Sequence, residues 1–409
     1  MARARGIFIH RAQRDFINSD LAQTPTTTLT AKMHDGLEIM FMPRINFTRT
    51  FSSALVFAVI LVGCGAPKFK ARKIEHGHLY ERDGVWILEL DGAPAERGHA
   101  AGQLVGEQIR WALPRYLRAT LRTDTPEGLP LKIIQKLRDS IPRAHLEQLN
   151  ALAESSGVDR DLLLAVNLAP EVWAGLACSC LAVTAEKSAD GAPLLARNLD
   201  WYGGDVLKDL GLLVIEPGLG RKFASLSYPG LVGVVTGMNS QGLSVANLVV
   251  LGQNAVPAKG VPVTFALRRI LEEHDTVQSA VDYLSGIERT VPQNYAFADR
   301  TMAVVLETWT RRFRRRDPKG GFVALGNLFD EDKKAHPKSR YPKMMRAGQQ
   351  PTLDVEALKK ALRDVALGEM NVHAAIFAPA TLTLYGSTQS RPAASGPFWK
   401  MDLGPLLSH

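Results

Sequence analysis

Two cysteines two residues apart, Cys178 and Cys180, are the side chains of this 409-residue sequence best suited to covalent chemistry. They open an apolar run from Cys178 to Ala185. An Asp190-Gly191 turn signal follows, and a second run, Leu194 to Trp201, carries Arg197, Asn198 and Asp200 near its end. Two such runs around Asp-Gly read as a β-hairpin. Pairing would bring a thiol and a set of polar groups to one end of it. An ordinary thiol titrates near pH ~8.5, so only a few per cent is thiolate at neutrality, and attack on an amide requires a neighbouring base.

The same residues admit other chemistry. Cys178 and Cys180 would share one face of a strand and could ligate a metal, but no third or fourth soft ligand accompanies them, so no metal is expected. Cys178-Ser179-Cys180 could also cycle as a redox pair, and a lone cysteine can be a small buried hydrophobe. Asp200 reads equally as a helix cap. Asn239, in Asn239-Ser240-Gln241-Gly242, reads as a turn residue, and Asn327 as a strand-end cap. His99 and His373 read as packed histidines. Neither a Walker loop nor a Gly-x-Gly-x-x-Gly fingerprint occurs, and no cofactor is implied.

Composition bounds the rest. With 46% hydrophobic and 22% charged residues the chain is globular, and 3 cysteines exclude a disulfide framework. The net charge of +8 is dispersed, apart from Arg311-Arg312-Phe313-Arg314-Arg315-Arg316. That run is expected at a solvated hairpin tip. A nucleic-acid patch would want interleaved aromatics within a recognisable module, and no nucleic-acid partner is expected.

Residues 51–63 form a short apolar run after Arg44 and Arg49, ending in Leu61-Val62-Gly63-Cys64. It is shorter than the roughly 20 residues that span a bilayer and has the plan of a signal peptide. The ending resembles the lipobox of bacterial lipoproteins, which implies cleavage before Cys64, lipidation of Cys64, and a membrane-anchored protein on the extracytoplasmic side of the cell envelope. Residues 42–63 are then the signal, and 64–80 a tether whose basic Lys68 to Lys73 would suit anionic lipids. Residues 1–41 read as a mis-assigned extension, with the true start at Met40 or Met42. Residues 1–63 hold 7 Lys/Arg and 4 Asp/Glu, so their removal would leave a charge of +5.

The elements that must position the hairpin follow in order. Val85 to Leu90 reads as a strand, Glu96 to Leu117 as a helix with a glycine-rich start that suggests close packing, Leu131 to Ala153 as a helix, and Asp161 to Val166 as a short helix capped by Asp159. Residues 81–177 are thus mainly helical. Beyond the hairpin, strands are expected at 212–215, 222–228, 232–236, 243–250, 302–309, 322–325, 374–377 and 382–385, and helices at 262–284 and 355–366. Runs of strands with helices in separate blocks argue an α+β fold, an antiparallel sheet or two stacked sheets covered by helices.

With these residues in place, the chain resembles the acyl-coenzyme A:6-aminopenicillanic acid acyltransferase family of N-terminal-nucleophile hydrolases over roughly residues 80–405. The resemblance rests on Ala177-Cys178-Ser179-Cys180, where the family opens with Gly-Cys, on Asp190-Gly191, and on Ala196-Arg197-Asn198-Leu199-Asp200-Trp201. It continues through Gly237-Met238-Asn239 to Gly242-Leu243, Asn327 flanked by Gly326 and Leu328, Ser339-Arg340-Tyr341, and Asn371-Val372-His373-Ala374.

The resemblance implies a four-layer αββα sandwich with a helical lead-in. It also implies self-cleavage between Ala177 and Cys178, leaving a small subunit up to residue 177 and a catalytic subunit, 178–409, headed by the nucleophile. The new α-amine, with a pKa of roughly 8, would serve as base to its own thiol. Asn327 would donate to the oxyanion, each such donor contributing on the order of 3 kcal/mol. Asp200 would orient the amine or the cleavage site, while Arg197, Asn198 and Asn239 would support substrate or oxyanion. The partner would be a small N-acyl compound, its tail lying on aromatics such as Trp173, Trp201, Tyr202 and Tyr295, cleaved by hydrolysis or acyl transfer. A competing reading, a membrane-anchored lipoprotein that keeps the fold only to bind, has no need of a cleaved chain.

Overall fold

The computed structural model describes residues 65–172, 176–250, 259–329 and 340–408. The expected signal peptide, the lipidation site Cys64 and Trp173 lie outside the described residues. Residues 66–408 belong to one compact unit.

Three strands open it: β1 (Arg72–Ile74), β2 (Gly77–Arg82) and β3 (Val85–Leu90). Five helices follow, α1 (Pro94–Leu121), α2 (Leu131–Arg138), α3 (Arg143–Ser156), α4 (Arg160–Asn167) and α5 (Ala169–Val172). The hairpin is β4 (Leu176–Val183) and β5 (Leu194–Trp201). Next come α6 (Gly204–Leu207), β6 (Leu212–Pro217), β7 (Lys222–Ser227), β8 (Thr236–Asn239), β9 (Ser244–Val249), α7 (Val263–Glu273) and α8 (Val277–Gly286). The chain continues through β10 (Gln293–Ala298), β11 (Ala303–Thr308), β12 (Phe313–Arg316), β13 (Phe322–Leu325), α9 (Tyr341–Ala347) and α10 (Val355–Val365). It closes with β14 (Asn371–Ala378), β15 (Thr383–Ser387), β16 (Trp399–Asp402) and α11 (Gly404–Leu407).

Two sheets result. One has ten strands in the order β1-β2-β3-β6-β7-β8-β9-β10-β11-β12, and the other six in the order β13-β4-β5-β14-β15-β16. Neighbours run antiparallel except β3 and β6, which pair in parallel through Trp86 to Glu89 and Leu212 to Ile215.

The period of two along each strand builds the layers. On β4 and β5, Cys178, Cys180, Leu195 and Leu199 join the core between the sheets. Leu181, Val183, Leu194 and Ala196 face Met344 of α9 and Leu358 and Leu362 of α10. The far side of the ten-stranded sheet, with Phe223, Tyr295 and Leu306, packs on Leu267 and Leu271 of α7 and on Val281 of α8. The order is therefore helix, sheet, sheet, helix: the α+β, four-layer arrangement expected. Among the described residues no helix is long and apolar enough to cross a membrane.

Several elements differ from expectation for physical reasons. The helix over 131–153 breaks before Pro142, which has no amide hydrogen to continue it. The helix over 262–284 divides at residues 274–276, where Thr276 caps α8 with its hydroxyl. The segment expected as a tether contributes β1 and β2 and buries Phe69. The basic run is not a loose tip. Arg314 and Arg316 lie on edge strand β12 and bind the fully buried carboxylate of Glu307, and a charged edge also resists pairing with another chain. The glycine-rich helix start does pack closely: a Cβ at Gly98 would collide with the Gln148 carbonyl, and one at Gly102 with the Ser155 side chain.

A buried polar network ties the helical lead-in to the rest. Arg97 of α1 and Gln148 of α3 reach Glu216 of β6 at 3.3 and 3.1 Å, while His145 of α3 meets Glu272 of α7 at 2.8 Å. Arg268 of α7, fully buried, binds both carboxylates. Burial alone would favour the neutral form of Glu272, but Arg268 and His145 overcome it and hold the carboxyl at about 2. That value is below the ordinary one of 4.5, so the folded chain binds fewer protons than the unfolded chain in between. The associated stability is complete above pH 4.5 and lost as pH falls toward 2. Glu272→Gln is expected to cost about 2 kcal/mol at pH 7 and to flatten stability between pH 4.5 and 2. Urea denaturation across that range checks both effects.

Candidate active site

Register on the hairpin decides which groups meet. Ala177 lies opposite Asp200, Cys178 opposite Leu199, Ser179 opposite Asn198 and Cys180 opposite Arg197. Cys178 and Arg197 therefore point between the sheets, while Asn198 and Asp200 point toward α10. The Ala177–Cys178 peptide bond lies inside β4.

Arg197 is the centre of the inner face. It is fully buried, and its Nη1 donates to the Val235 carbonyl at 2.9 Å and to the Thr236 hydroxyl. Its Nη2 donates to the Asn247 carbonyl at 3.3 Å and to Cys178 Sγ at 3.1 Å. Among the described residues no carboxylate forms an ion pair with it. A desolvated cation without a counter-charge is costly, and the ionisable group it touches is the Cys178 thiol. Burial pushes that thiol up, Arg197 and Arg340 pull it down, and Asp200 raises it again. The resting group is accordingly a thiol and needs a base. Cys180, 0% exposed, is pushed up to about 12, first by burial, and of the charges around Cys178 only Arg197 acts on it as well. Both are free cysteines.

A second cluster grips the backbone of Cys178. Its N–H donates to Asn327 Oδ1 at 2.8 Å, and Asn327 Nδ2 donates to the Val249 carbonyl at 2.8 Å. Arg340 Nη2 donates to the Cys178 carbonyl at 2.9 Å and to Asn327 Oδ1 at 3.1 Å. Two donors on Oδ1 and a carbonyl on Nδ2 fix the orientation of the Asn327 amide. Asp200, fully buried, binds Arg340 Nη1, accepts from Asn371 Nδ2 at 2.8 Å and lies 3.4 Å from the amide of Leu367. Asp200 thus reaches the Cys178 backbone through Arg340, besides its direct effect on the thiol.

The structure sorts the remaining candidates. Asn327 presents an acceptor to the Cys178 nitrogen rather than the donor expected for an oxyanion. Asn198 faces away from the sulfur and braces α10, donating to the Leu362 carbonyl at 2.8 Å. Asn239 holds its own turn, accepting from Gln241 and Leu243, and ties down the end of α7 through the Leu271 and His274 carbonyls. Tyr295 belongs to the core on the far side of the ten-stranded sheet and cannot line a pocket with Trp201, whose Nε1 donates to Tyr116.

Arg340, Thr236 and Asn371 are the contacts that sequence reasoning did not assign. Arg340 and Asn371 carried a signal in Ser339-Arg340-Tyr341 and Asn371-Val372-His373-Ala374, and Thr236 directly precedes Gly237-Met238-Asn239. Among the described residues no group of three or more His, Cys, Asp or Glu side chains could hold a metal ion.

Comparison with known proteins agrees with the motifs. Residues 184–350 match the family described as acyl-coenzyme A:6-aminopenicillanic acid acyl-transferase. The match includes Arg197, Asp200, Asn327 and Arg340 and begins after Cys178. An uncharacterized protein of Archaeoglobus fulgidus is 25% identical over 53% of this chain and 42% of its own length. Protein dcd1B of Dictyostelium discoideum is 26% identical over 53% of this chain and 49% of its own. The chain thus spans about half the length of the curated relatives it matches. A solved Caenorhabditis elegans N-acylethanolamine-hydrolyzing acid amidase ortholog is 18% identical, with a TM-score of 0.42 over 50% of this chain and 93% of that one.

Removing Arg340 would leave Asp200 charged, buried and short of its cation. Arg340→Met is expected to lose about 3 kcal/mol of unfolding free energy, and adding Asp200→Asn should recover part of it. Denaturant titration of the single and double variants checks this.

Proposed function

We propose that this chain, whose residues 184–350 carry the acyl-transferase family match, is a self-processed cysteine N-terminal-nucleophile enzyme that cleaves the amide bond of a small N-acyl compound. The observation that carries the reading is the triple hold on Cys178: Arg197 on its sulfur, Asn327 on its nitrogen and Arg340 on its carbonyl. A buried residue kept only for packing needs none of these. A binding module would not need a desolvated guanidinium aimed at a thiol, so the catalytic reading is preferred.

Activation begins with attack of Cys178 Sγ on the Ala177 carbonyl carbon. The C–N bond breaks, the thiol proton passes to the departing Cys178 nitrogen, and a thioester forms. Water hydrolyses it, giving a carboxylate at Ala177 and a free amine and thiol on Cys178. In turnover that amine takes the thiol proton, with Asn327 Oδ1 placed to hold the nitrogen. The thiolate, steadied by Arg197, attacks the substrate amide carbonyl, and the leaving amine departs with the proton. Water then releases the acyl group, or a second amine accepts it. Asp200 keeps Arg340 in place throughout.

The two fragments stay together in this account. The N-terminal fragment supplies β1–β3 to the ten-stranded sheet, with β3 paired to β6, and its α1 and α3 side chains enter the buried network around Arg268. For location we propose an envelope lipoprotein anchored through Cys64, supported by the Leu61-Val62-Gly63-Cys64 sequence.

Cys178→Ala is expected to run as a single uncleaved chain without amidase activity. Cys178→Ser should be cleaved slowly, because a hydroxyl is a poorer nucleophile at neutral pH. Denaturing gels, intact mass and release of fluorophore from N-acyl-aminomethylcoumarin amides check this; an active, cleaved Cys178→Ala protein would refute the role.

A further inference from the structure

Behind Arg197 lies a second buried contact that no step above uses. Thr236, the first residue of β8, is 0% exposed, and its hydroxyl sits between two basic side chains. One is Arg197, whose Nη1 donates to it. The other is His373 of β14, 0% exposed, whose Nε2 lies 3.0 Å from Thr236 Oγ1. Resting on the reading above, we propose that Thr236 and His373 are positioning residues that aim the Arg197 guanidinium at the nucleophilic sulfur.

Hydrogen-bond direction gives the chain its sense. A guanidinium can only donate, so Thr236 Oγ1 accepts from Arg197, and its own hydrogen is free to go to His373 Nε2. That donation needs a neutral imidazole with its hydrogen on Nδ1, a buried nitrogen with no hydrogen-bond partner among the described residues. Its surroundings enforce neutrality: burial first, then Arg197 from β5 and Arg391 beyond β15, hold it well below its ordinary range. The other titratable ring against it is Tyr228, stacked at 6.2 Å and kept neutral by burial, with its hydroxyl donating to the Val372 carbonyl. A protonated imidazole would turn a donor toward Thr236 and place a second positive charge beside Arg197.

The backbone is shaped for this contact. Asn371 pairs with Asp200 and His373 with Leu199, so Val372 is bulged out of register. Residues two apart on a regular strand share a face. The bulge instead sends Asn371 to Asp200 on the α10 side and His373 to Thr236 between the sheets. Both sides of the Cys178 site are thus served by one irregular strand end.

Packing and positioning predict different variant series, read by the rate at which purified full-length precursor converts to a fragment starting at Cys178. Thr236→Val keeps shape and loses the hydroxyl, while Thr236→Ser keeps the hydroxyl. His373→Phe fills the space without an acceptor, while His373→Gln can restore one. Positioning predicts a loss on the order of tenfold or more for Thr236→Val and His373→Phe. Recovery to within about threefold of wild type is expected for Thr236→Ser and His373→Gln, and no further loss in the Thr236→Val/His373→Phe double variant. On N-acyl-aminomethylcoumarin the loss should fall on kcat rather than KM, because Arg197 touches the sulfur. Wild-type rates in Thr236→Val and His373→Phe, or losses that add in the double variant, would overturn the positioning role and leave self-processing standing. A wild-type chain that is never cleaved would remove the underlying reading and this proposal with it.

Discussion

A guanidinium sealed between two sheets, with no carboxylate partner among the described residues, is the constraint on which this molecule turns. Burying a lone cation is among the more expensive things a fold can do. Arg197 is nonetheless fully buried, and two backbone carbonyls, one hydroxyl and one thiol share its donors. Such an arrangement is poor value as packing. Under the proposed function it becomes useful when negative charge develops at the sulfur, because the donors are already in place and need no reorganisation.

The rest of the architecture keeps that contact in place. Alternation along β4 and β5 turns the Cys178 sulfur and the Asp200 carboxylate to opposite faces, so Asp200 can anchor Arg340 from the α10 side. Arg340 reaches across to the Cys178 backbone, and Asn327, at the end of β13, spans from the Cys178 nitrogen to the β9 carbonyl of Val249. The Cys178 backbone is thus held on both sides, by Asn327 at its nitrogen and Arg340 at its carbonyl. A break at that bond would leave the N-terminal strands hydrogen-bonded into the large sheet, so cleavage need not cost the fold its integrity.

Much of this was legible in the sequence, and the exceptions are instructive. The hairpin could be read because Asp190-Gly191 separates two apolar runs, and the helical lead-in because its apolar residues recur at helical spacing. Strand β10 went unread because Gln293 and Asn294 look polar, although both are fully buried. Asn198 was grouped with Arg197 by adjacency, yet neighbours on a strand face opposite ways. Of the two readings of Asn239, turn residue and substrate support, its contacts match the first: its side chain holds a turn and a helix end. Arg340 and Asn371 stand in recognisable motifs and Thr236 beside one, but the partners of all three lie far along the chain, and no local pattern announces those. His373 reads as one more packed histidine until the β14 bulge, invisible in one sequence, turns it toward Thr236.

The most direct test of the account is to determine the N-terminal residue of every chain in the purified, mature protein. The account predicts two chains in equal amounts, one of them beginning Cys178-Ser179-Cys180. A single chain that runs unbroken through Ala177 and Cys178 in a preparation that still hydrolyses amides would contradict it, because the amine that activates the thiol would not exist.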